Sequence, residues 1–448
     1  MFSGTGTDGV YHAGVLRAIL EAGVKVDLVA GHGVGAVTAT LAALGGGAGL
    51  WERGGLWDAA RVPAYYRWRT PVRLLGWLVA AIGVLCAVPV AVLVLLGAGQ
   101  LVAFLVTLVG PTLGARMQSA IGASTLIVLD APALPTLVPR LLMAVVVVAL
   151  LVAAAATLGG WRGAGWPRWW RLASDPLDVS RVKRAVRDDV WRLVRGAAAG
   201  KGTPVDGAVG RQYVDVLAES LGQPGCHELV IGFVDLDARR DVVAAVLRPA
   251  SRTVFTASRP GRERAAEALD LVATGKECLL DMLSAAVTPP VGVAPHPVPL
   301  PADGYWAGET HRGCDRPGML TRLLAELDAL DVTQVIIVSA AAPPSEPHRL
   351  GQPDAEPRAR LGEAMSALEA AGREDALRAA QEQFDAVFTI RPKHNAIGPF
   401  DFCGGQDPGS DRLRSLADLQ QQGYHDAYHQ FIEPVVGGSG EFLGASVT

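Results

Sequence analysis

Hydrophobic and polar positions fall into three regimes along the chain. In the first sixty residues, short apolar runs alternate with glycine. Met1 and Phe2 read as a brief strand, and Gly4-Thr5-Gly6-Thr7-Asp8-Gly9 as a loop. A helix follows with Val15, Leu16, Ile19 and Leu20 on one stripe, ending near Gly23. Val26, Leu28 and Val29 form a second strand leading into Gly31-His32-Gly33-Val34-Gly35. From Ala36 to Leu44 the small residues predict a tightly packed helix that stops at Gly45-Gly46-Gly47. The pattern is strand, glycine turn, helix, twice over. In the last regime, ELVIGFVDL (228–236), RTVFTA (252–257), TQVIIVS (333–339) and FDAVFTI (384–390) predict short strands. Helical stretches separate them, notably 358–383, so the expected class is α/β, a layered sheet with helices on both faces. The Gly/Ala-rich run 196–210 and the Pro-rich run 340–357 read as linkers or surface loops.

Between these regimes, Leu74 to Leu158 contains Arg116, Asp130 and Arg140 as its only charged residues. A helix needs about 20 apolar residues to cross the hydrocarbon core, and residues 72–111 alone supply roughly twice that. The expected spans are about 74–97 and 140–158, with 101–114 a re-entrant or interfacial segment. Arg61, Arg67, Arg69 and Arg73 precede the first span, and Arg162, Arg168 and Arg171 follow the last, with no acid among them. Both flanks are therefore expected on the cytoplasmic side. Trp68, Trp77, Trp161, Trp166, Trp169 and Trp170 suit an aromatic belt at that face. The number of crossings is then even: two, or four. The opening MFSGTGTDG lacks the basic-then-apolar pattern of a secretory leader, so export by that route is not expected. The expected organisation is residues 1–60, a membrane insertion over 61–171, and 172–448 completing the first part, in an integral protein of the cell (inner) membrane.

Composition narrows the chemistry. Half the residues are apolar and the net charge is −4, so no global basic field invites nucleic acid. Five cysteines without a C-x-x-C pair predict neither a disulfide framework nor a zinc knuckle. Glycine turns before helix N-termini present backbone N–H groups to an anion. They serve either a dinucleotide pyrophosphate, through Gly4-x-Gly6-x-x-Gly9 or Gly31-x-Gly33-x-x-Ala36, or a hydrolase, with an oxyanion loop followed by a nucleophile elbow. The dinucleotide reading lacks a strand ending in an acid about twenty residues on, since Glu52 lies in a tryptophan-rich stretch. His425 and His429 stand one helical turn apart without a partner at metal-ligand spacing, and Asp401, Asp407 and Asp411 lack calcium-loop spacing, so no metal and no cofactor is expected.

The segment SGTGTDGVYHAGVLRAILEAG (3–23) resembles the oxyanion-hole block of the patatin-like lipid acyl hydrolases, and VDLVAGHGVGAVTATLAAL (26–44) resembles their nucleophile-elbow block, in the same order and spacing. SAAVTPPVGVAPHPVPLPADGYWAGETHRG (284–313) is similar to the block that ends in an Asp-Gly motif. The resemblance implies ester hydrolysis of lipids by a Ser/Asp dyad, with Gly4, Thr5 and Gly6 forming the oxyanion hole and Gly31, His32, Gly33, Val34 and Gly35 the elbow. Departures from the pattern fall on the catalytic positions. Gly33 stands where the serine belongs and has no side chain to attack a carbonyl. Asp8 stands at the usual basic position of the oxyanion loop. The acid position falls on Ala307 by alignment on Tyr305-Trp306, or on Asp303 by alignment on Asp303-Gly304. No catalytic residue is therefore expected. The reading is a degenerate hydrolase that acts by binding a lipid, an acyl chain or a protein partner. An active hydrolase with another nucleophile and a nucleotide-binding membrane protein are the alternatives.

Overall fold

A computed structural model describes the chain except for residues 131–133, 159–174, 196–203, 258–263, 305, 307, 344–356, 408–409 and 438–448. It forms two compact units, one made of Met1–Arg67 with Leu177–Thr448 and the other of Trp68–Pro176.

The first unit is built on a sheet whose main strands are β1 (Phe2–Gly4), β2 (Leu28–Gly33), β3 (Glu228–Asp235), β4 (Arg240–Val246), β5 (Ala266–Asp270), β6 (His296–Pro299), β7 (Thr310–Cys314), β8 (Gln334–Ser339) and β9 (Ala386–Ile390). Their order is β9-β8-β1-β2-β3-β4-β5, with the hairpin β6–β7 attached to the end of β3. Every neighbour from β9 to β3 is parallel, and only the β3/β4 pair breaks the rule within that path. The register sets Ser3 beside His32 and Gly4 beside Gly33. Parallel strands need helical crossovers, and these supply the layers: α1 (Asp8–Glu21), α2 (Val34–Ala43), α3 (Ser180–Arg195), α4 (Asp206–Ser220), α5 (Pro249–Thr256), α6 (Leu279–Ala286), α7 (Leu320–Asp328), α8 (Pro357–Gln383) and α9 (Leu416–Ala427).

Strand side chains alternate between faces. Ala30, Val230, Val243 and Ala245 point to one side, where they meet Phe255 of α5, Leu320, Leu323, Leu324 and Leu327 of α7, and Ala376, Leu377 and Ala380 of α8. On β3 and β4 the intervening residues Leu229, Ile231, Val242, Ala244 and Val246 are equally buried, and α2, α4 and α6 pack against these strands. Both faces of the sheet are thus covered, which is why its central strands read as continuous apolar runs.

Three expectations change. RTVFTA is helical, within Pro249–Thr256, not a strand. Pro249 occupies the first turn, where its missing N–H costs nothing. The hydroxyls of Thr253 and Thr256 bond back to the carbonyls of Pro249 and Arg252, each at 2.9 Å, and Phe255 is fully buried, so packing overrides β propensity. Residues 206–210 of the Gly/Ala-rich run are the first turn of α4 rather than linker, whereas 196–203 lie outside the described residues. Tyr65 and Tyr66, assigned to the insertion by sequence, belong to the first unit: the Tyr65 hydroxyl donates to Leu56 O at 2.9 Å and that of Tyr66 to Val287 O at 2.8 Å.

The second unit holds the helices Thr70–Val109, Pro111–Leu129 and Leu134–Leu158. Two stretches, Thr70–Val109 and Thr136–Ala155, are long and apolar enough to cross a membrane. The first is a single 40-residue helix, about 60 Å long at 1.5 Å per residue. The segment 101–114 is not a separate helix: up to Val109 it continues the first helix, and from Pro111 it opens the next. Gly114 permits the reversal, since a Cβ there would lie 2.5 Å from Thr107 Cα. Sequence periodicity hides Pro111–Leu129 because Arg116, Gln118, Ser119, Ser124 and Thr125 dilute its apolar character. The hydroxyls of Ser124 and Thr125 bond to carbonyls one turn back, at 3.0 and 2.8 Å.

In the first unit, α1 and α9 approach to backbone contact. A Cβ on Gly14 would fall 1.9 Å from Gln420 O, and one on Gly423 would fall 2.4 Å from Tyr11 O. Gly14→Leu is expected to lower stability by about 2 kcal/mol or more through overpacking, read as a fall in the unfolding midpoint in detergent. An unchanged midpoint would show that the two helices are not held at this spacing.

Candidate functional site

β2 ends at Gly33 and α2 begins at Val34, so the chain turns from strand to helix within one residue. Gly33 makes that turn at φ 58°, ψ −136°, a conformation that a side chain strains. Val34 and Gly35 form the first turn of α2 rather than a loop ahead of it. The flanking glycines let backbone touch backbone: a Cβ on Gly31 would sit 2.2 Å from Gly35 O, and one on Gly35 would sit 2.3 Å from Phe2 O. At Gly33 the missing Cβ would lie 2.1 Å from Gly4 O, 2.9 Å from Asp315 Oδ2 and 3.2 Å from Asp315 Oδ1.

The carboxylate facing the elbow is therefore Asp315, directly after β7. Neither acid position read from the sequence is that residue. Asp303 is exposed in the turn between β6 and β7, and Ala307 lies outside the described residues. The Trp306 indole N–H donates to Glu267 at 2.7 Å, so Trp306 belongs to the turn between β6 and β7 and not to the elbow. Asp315 accepts a hydrogen bond from the Thr5 hydroxyl at 2.6 Å and one from its neighbour's N–H, Arg316, at 2.8 Å. The signal available in the sequence was an aspartate immediately following a β-run, in Gly313-Cys314-Asp315-Arg316-Pro317-Gly318, two residues beyond the block that carried the resemblance.

The glycine loop after β1 is filled by its own aspartate. The Thr5 N–H donates to Asp8 Oδ2 at 2.8 Å, and a Cβ on Gly4 would lie 2.6 Å from that same oxygen. Segment 398–400 closes the loop from outside. Thr7 donates its N–H to Pro399 O at 2.7 Å and its hydroxyl to Gly398 O at 2.8 Å, and a Cβ on Gly6 would meet Pro399 O at 1.9 Å. The amides of Thr5 and Thr7, which could face a developing oxyanion or a phosphate, are engaged within the protein.

Around the elbow lies a buried polar network. His32 Nε2 is 3.0 Å from Ser3 Oγ, and His32 Nδ1 is 3.6 Å from Asp315 Oδ1, an ion-pair distance rather than a hydrogen bond. The Ser3 hydroxyl donates to Glu369 of α8, whose Oε1 is also 3.7 Å from His32 Nε2. One turn further along α8, Arg373 donates to Ser339 Oγ at 2.7 Å and to Ala342 O at 3.1 Å. Ser3, His32, Asp315, Glu369 and Arg373 are all essentially without solvent exposure. Burial disfavours charge on His32, but its contact with Asp315 and the charge of Glu369 outweigh that and hold its pKa above the ordinary imidazole value. Burial pushes Asp8 up to about 8, helped by Glu369 and Asp315 and opposed by the Thr5 N–H and Arg373. Near neutral pH Asp8 is therefore largely protonated, and the cations His32 and Arg373 lie among the carboxyl groups of Asp8, Asp315 and Glu369. His12, pushed down to about 3 by burial, is neutral and donates to Ser3 O at 3.2 Å.

The remaining sequence candidates lie apart from this network. His425 sits 2.9 Å from the Gln421 amide, and His429 pairs with Glu433 at 3.0 Å; both histidines are exposed. Asp407 is held by His394 at 3.1 Å and Arg414 at 3.3 Å. Among the described residues no three His, Cys, Asp or Glu side chains gather as metal ligands do. A cavity of about 550 Å³ opens at the opposite ends of the central strands, lined by Lys25, Leu28, Thr333 and Gln334 among others, away from the elbow.

Strand, strained glycine turn, buried small-residue helix and facing aspartate define an α/β protein of the hydrolase-elbow type. The comparison with known families agrees: residues 1–82 match the family described as Patatin-like phospholipase. The part of the chain holding the glycine loop and the elbow is patatin-like. No curated protein and no solved structure matches the chain significantly.

Two outcomes follow. Asp8 and His32 both bind protons more tightly folded than unfolded, so the stability these two groups contribute is fully present at low pH and is lost as pH rises through their raised values. Asp8→Asn mimics the protonated carboxyl, so its gain in unfolding midpoint over the unmodified protein is expected to grow between about pH 5 and about pH 8. A pH-independent difference would mean that Asp8 is not the proton carrier. Gly33→Ser places a Cβ against the Gly4 carbonyl at a left-handed φ, and is expected to lose about 2 kcal/mol or more and to gain no esterase turnover. A stable, active Gly33→Ser protein would overturn the closed-elbow geometry.

Proposed function

We propose that this is a membrane-anchored, patatin-like protein whose hydrolytic site has become a structural core, so that it acts by binding or scaffolding. The observation that carries the reading is the Gly4 carbonyl lying 2.1 Å from the point where a nucleophile's Cβ would be. Two further facts support it. Asp8 takes the place an oxyanion would occupy on the Thr5 amide. Asp315, the residue we assign to the family's acid position, is spent on Thr5, Arg316 and His32. With the elbow closed, contact with lipid is assigned to the apolar helices Thr70–Val109 and Thr136–Ala155, and a partner to the surface of the first unit. The segments on either side of the insertion fold into one unit, so they share a compartment, and an even number of crossings follows. The arginine-rich flanks favour the cytoplasmic side of the cell membrane. Nucleotide binding at the glycine loops is disfavoured by the engagement of the Thr5 and Thr7 amides.

A second reading rests on a specific alignment of groups. Ser3, His32 and Asp315 stand in the order of a nucleophile, base and acid, at 3.0 and 3.6 Å. Against it, the Ser3 hydroxyl donates to Glu369 rather than to His32.

Purified protein in detergent, treated with a fluorophosphonate and assayed on aryl ester and phospholipid substrates, separates the two. We expect no labelling and turnover at the blank level. Covalent labelling that Ser3→Ala abolishes would replace the scaffold reading with a hydrolase built on Ser3.

A further inference from the structure

Apart from the elbow, a second chain of titratable groups runs through the first unit. Lys183 of α3, His296 at the start of β6 and Asp281 of α6 are joined in a line. Lys183 Nζ is 3.1 Å from His296 Nδ1, and His296 Nε2 is 3.0 Å from Asp281 Oδ1. The carboxylate can only accept, so Nε2 carries the imidazole proton. Nδ1 is left as the acceptor for the ammonium of Lys183. The three residues come from three elements that pack on one another, which fixes the line without help from sequence neighbours. All three are half-buried rather than sealed, with His296 and Asp281 side chains 19% and 23% exposed. In this chain 5 of the 40 basic residues are lysines, Lys25, Lys183, Lys201, Lys276 and Lys393. Arginine would keep its charge in such a setting, whereas lysine can give up a proton.

We propose that Asp281, His296 and Lys183 form a proton relay that makes Lys183 a reactive amine, a site for covalent modification by activated acyl donors such as thioesters and aryl esters. The step balances within these groups. The ammonium passes one proton to His296 Nδ1, and the resulting imidazolium is stabilised by Asp281. The freed lone pair of Nζ attacks the acyl carbon, the bond from that carbon to sulfur or oxygen breaks, and the leaving thiolate or phenolate departs with the electron pair. The attacking nitrogen then sheds a second proton to water, leaving an amide on Lys183. Burial favours the neutral amine, lowering Lys183 to about 8 against the opposing pull of Asp281. More of it is therefore the free base near neutral pH than for an exposed lysine. His311 is likewise flanked by carboxylates, Asp235 at 2.5 Å and Glu309 at 3.1 Å, but that cluster contains no nucleophile.

The test treats the full-length protein in detergent with a limiting amount of an acetyl aryl ester near neutral pH, and reads acetylation at each lysine by peptide mass spectrometry. Lys25 and Lys393 are exposed and Lys276 is paired with Asp215 at 2.5 Å, so they serve as internal references. Lys183 is expected to acetylate about tenfold faster than Lys25 or Lys393, the excess of free base being partly offset by lower intrinsic nucleophilicity. His296→Gln and Asp281→Asn are each expected to reduce that rate about tenfold or more while leaving the reference lysines unchanged. The reference rates also report whether a variant is folded. A Lys183 rate at or below that of Lys25 in the unmodified protein would overturn the proposal. So would a Lys183 rate that neither variant alters while the references stay constant.

Discussion

At Gly33 and Gly4 two parallel strands end so close together that the carbonyl of one occupies the space of a side chain on the other. The register of β1 on β2 sets Gly4 opposite Gly33 and Ser3 opposite His32, and much of the surrounding structure accommodates that contact. A glycine is required at Gly33 because the strand-to-helix reversal takes the left-handed region. It is required again because Gly4 O lies 2.1 Å from its Cβ position. Bringing β1 this near leaves the loop after it with donors and no ligand. Asp8 and segment 398–400 supply the acceptors. A catalytic turn holds such donors open for a developing charge, and here they are satisfied in the resting fold.

Satisfying backbone donors with a carboxyl brings charge into the interior, and the network around His32 follows from that. Three carboxyl groups in one buried cluster would repel one another. His32 and Arg373 lie among them and offset that repulsion, and burial raises Asp8 toward its protonated form. An ion pair buried in this way adds little to stability compared with apolar packing, yet removing one partner leaves an uncompensated charge worth about 3–5 kcal/mol. The network is therefore hard to alter piecemeal. Glu369 and Arg373 come from a helix over 300 residues from the elbow in sequence, so the elbow and the C-terminal half are locked to each other through charge as well as through the packing of α9 on α1.

How much of this the sequence revealed depends on whether a feature is local. The glycine turns, the two strands ahead of them, α1 and α2, and the strands in ELVIGFVDL, TQVIIVS and FDAVFTI were legible because glycine placement and β-branched runs act within a few residues. RTVFTA was misread because a proline three residues ahead of the run, together with burial of Phe255, set its conformation. The helix Pro111–Leu129 was missed because polar side chains dilute its apolar pattern, although the hydroxyls of Ser119, Ser124 and Thr125 are satisfied by its own carbonyls. Asp315 escaped because two motif alignments pointed into the β6–β7 turn, while the strand end that delivers the carboxylate carries no Asp-Gly pair. Glu369 and Arg373 look like ordinary surface charges of an amphipathic helix, and only the tertiary fold turns them inward.

The same division explains why the elbow and the Lys183 line differ in chemistry although both join a histidine to a carboxylate. At the elbow the imidazole lies between Asp315 and Glu369, which hold its pKa above the ordinary imidazole value. At His296 a single carboxylate fixes one ring nitrogen, and the other faces an amine that burial inclines toward its neutral form. Exposure follows the same line, since His32 is sealed and His296 is open to solvent on part of its surface. The first unit thus keeps, on elements away from the elbow, a group arranged for proton transfer.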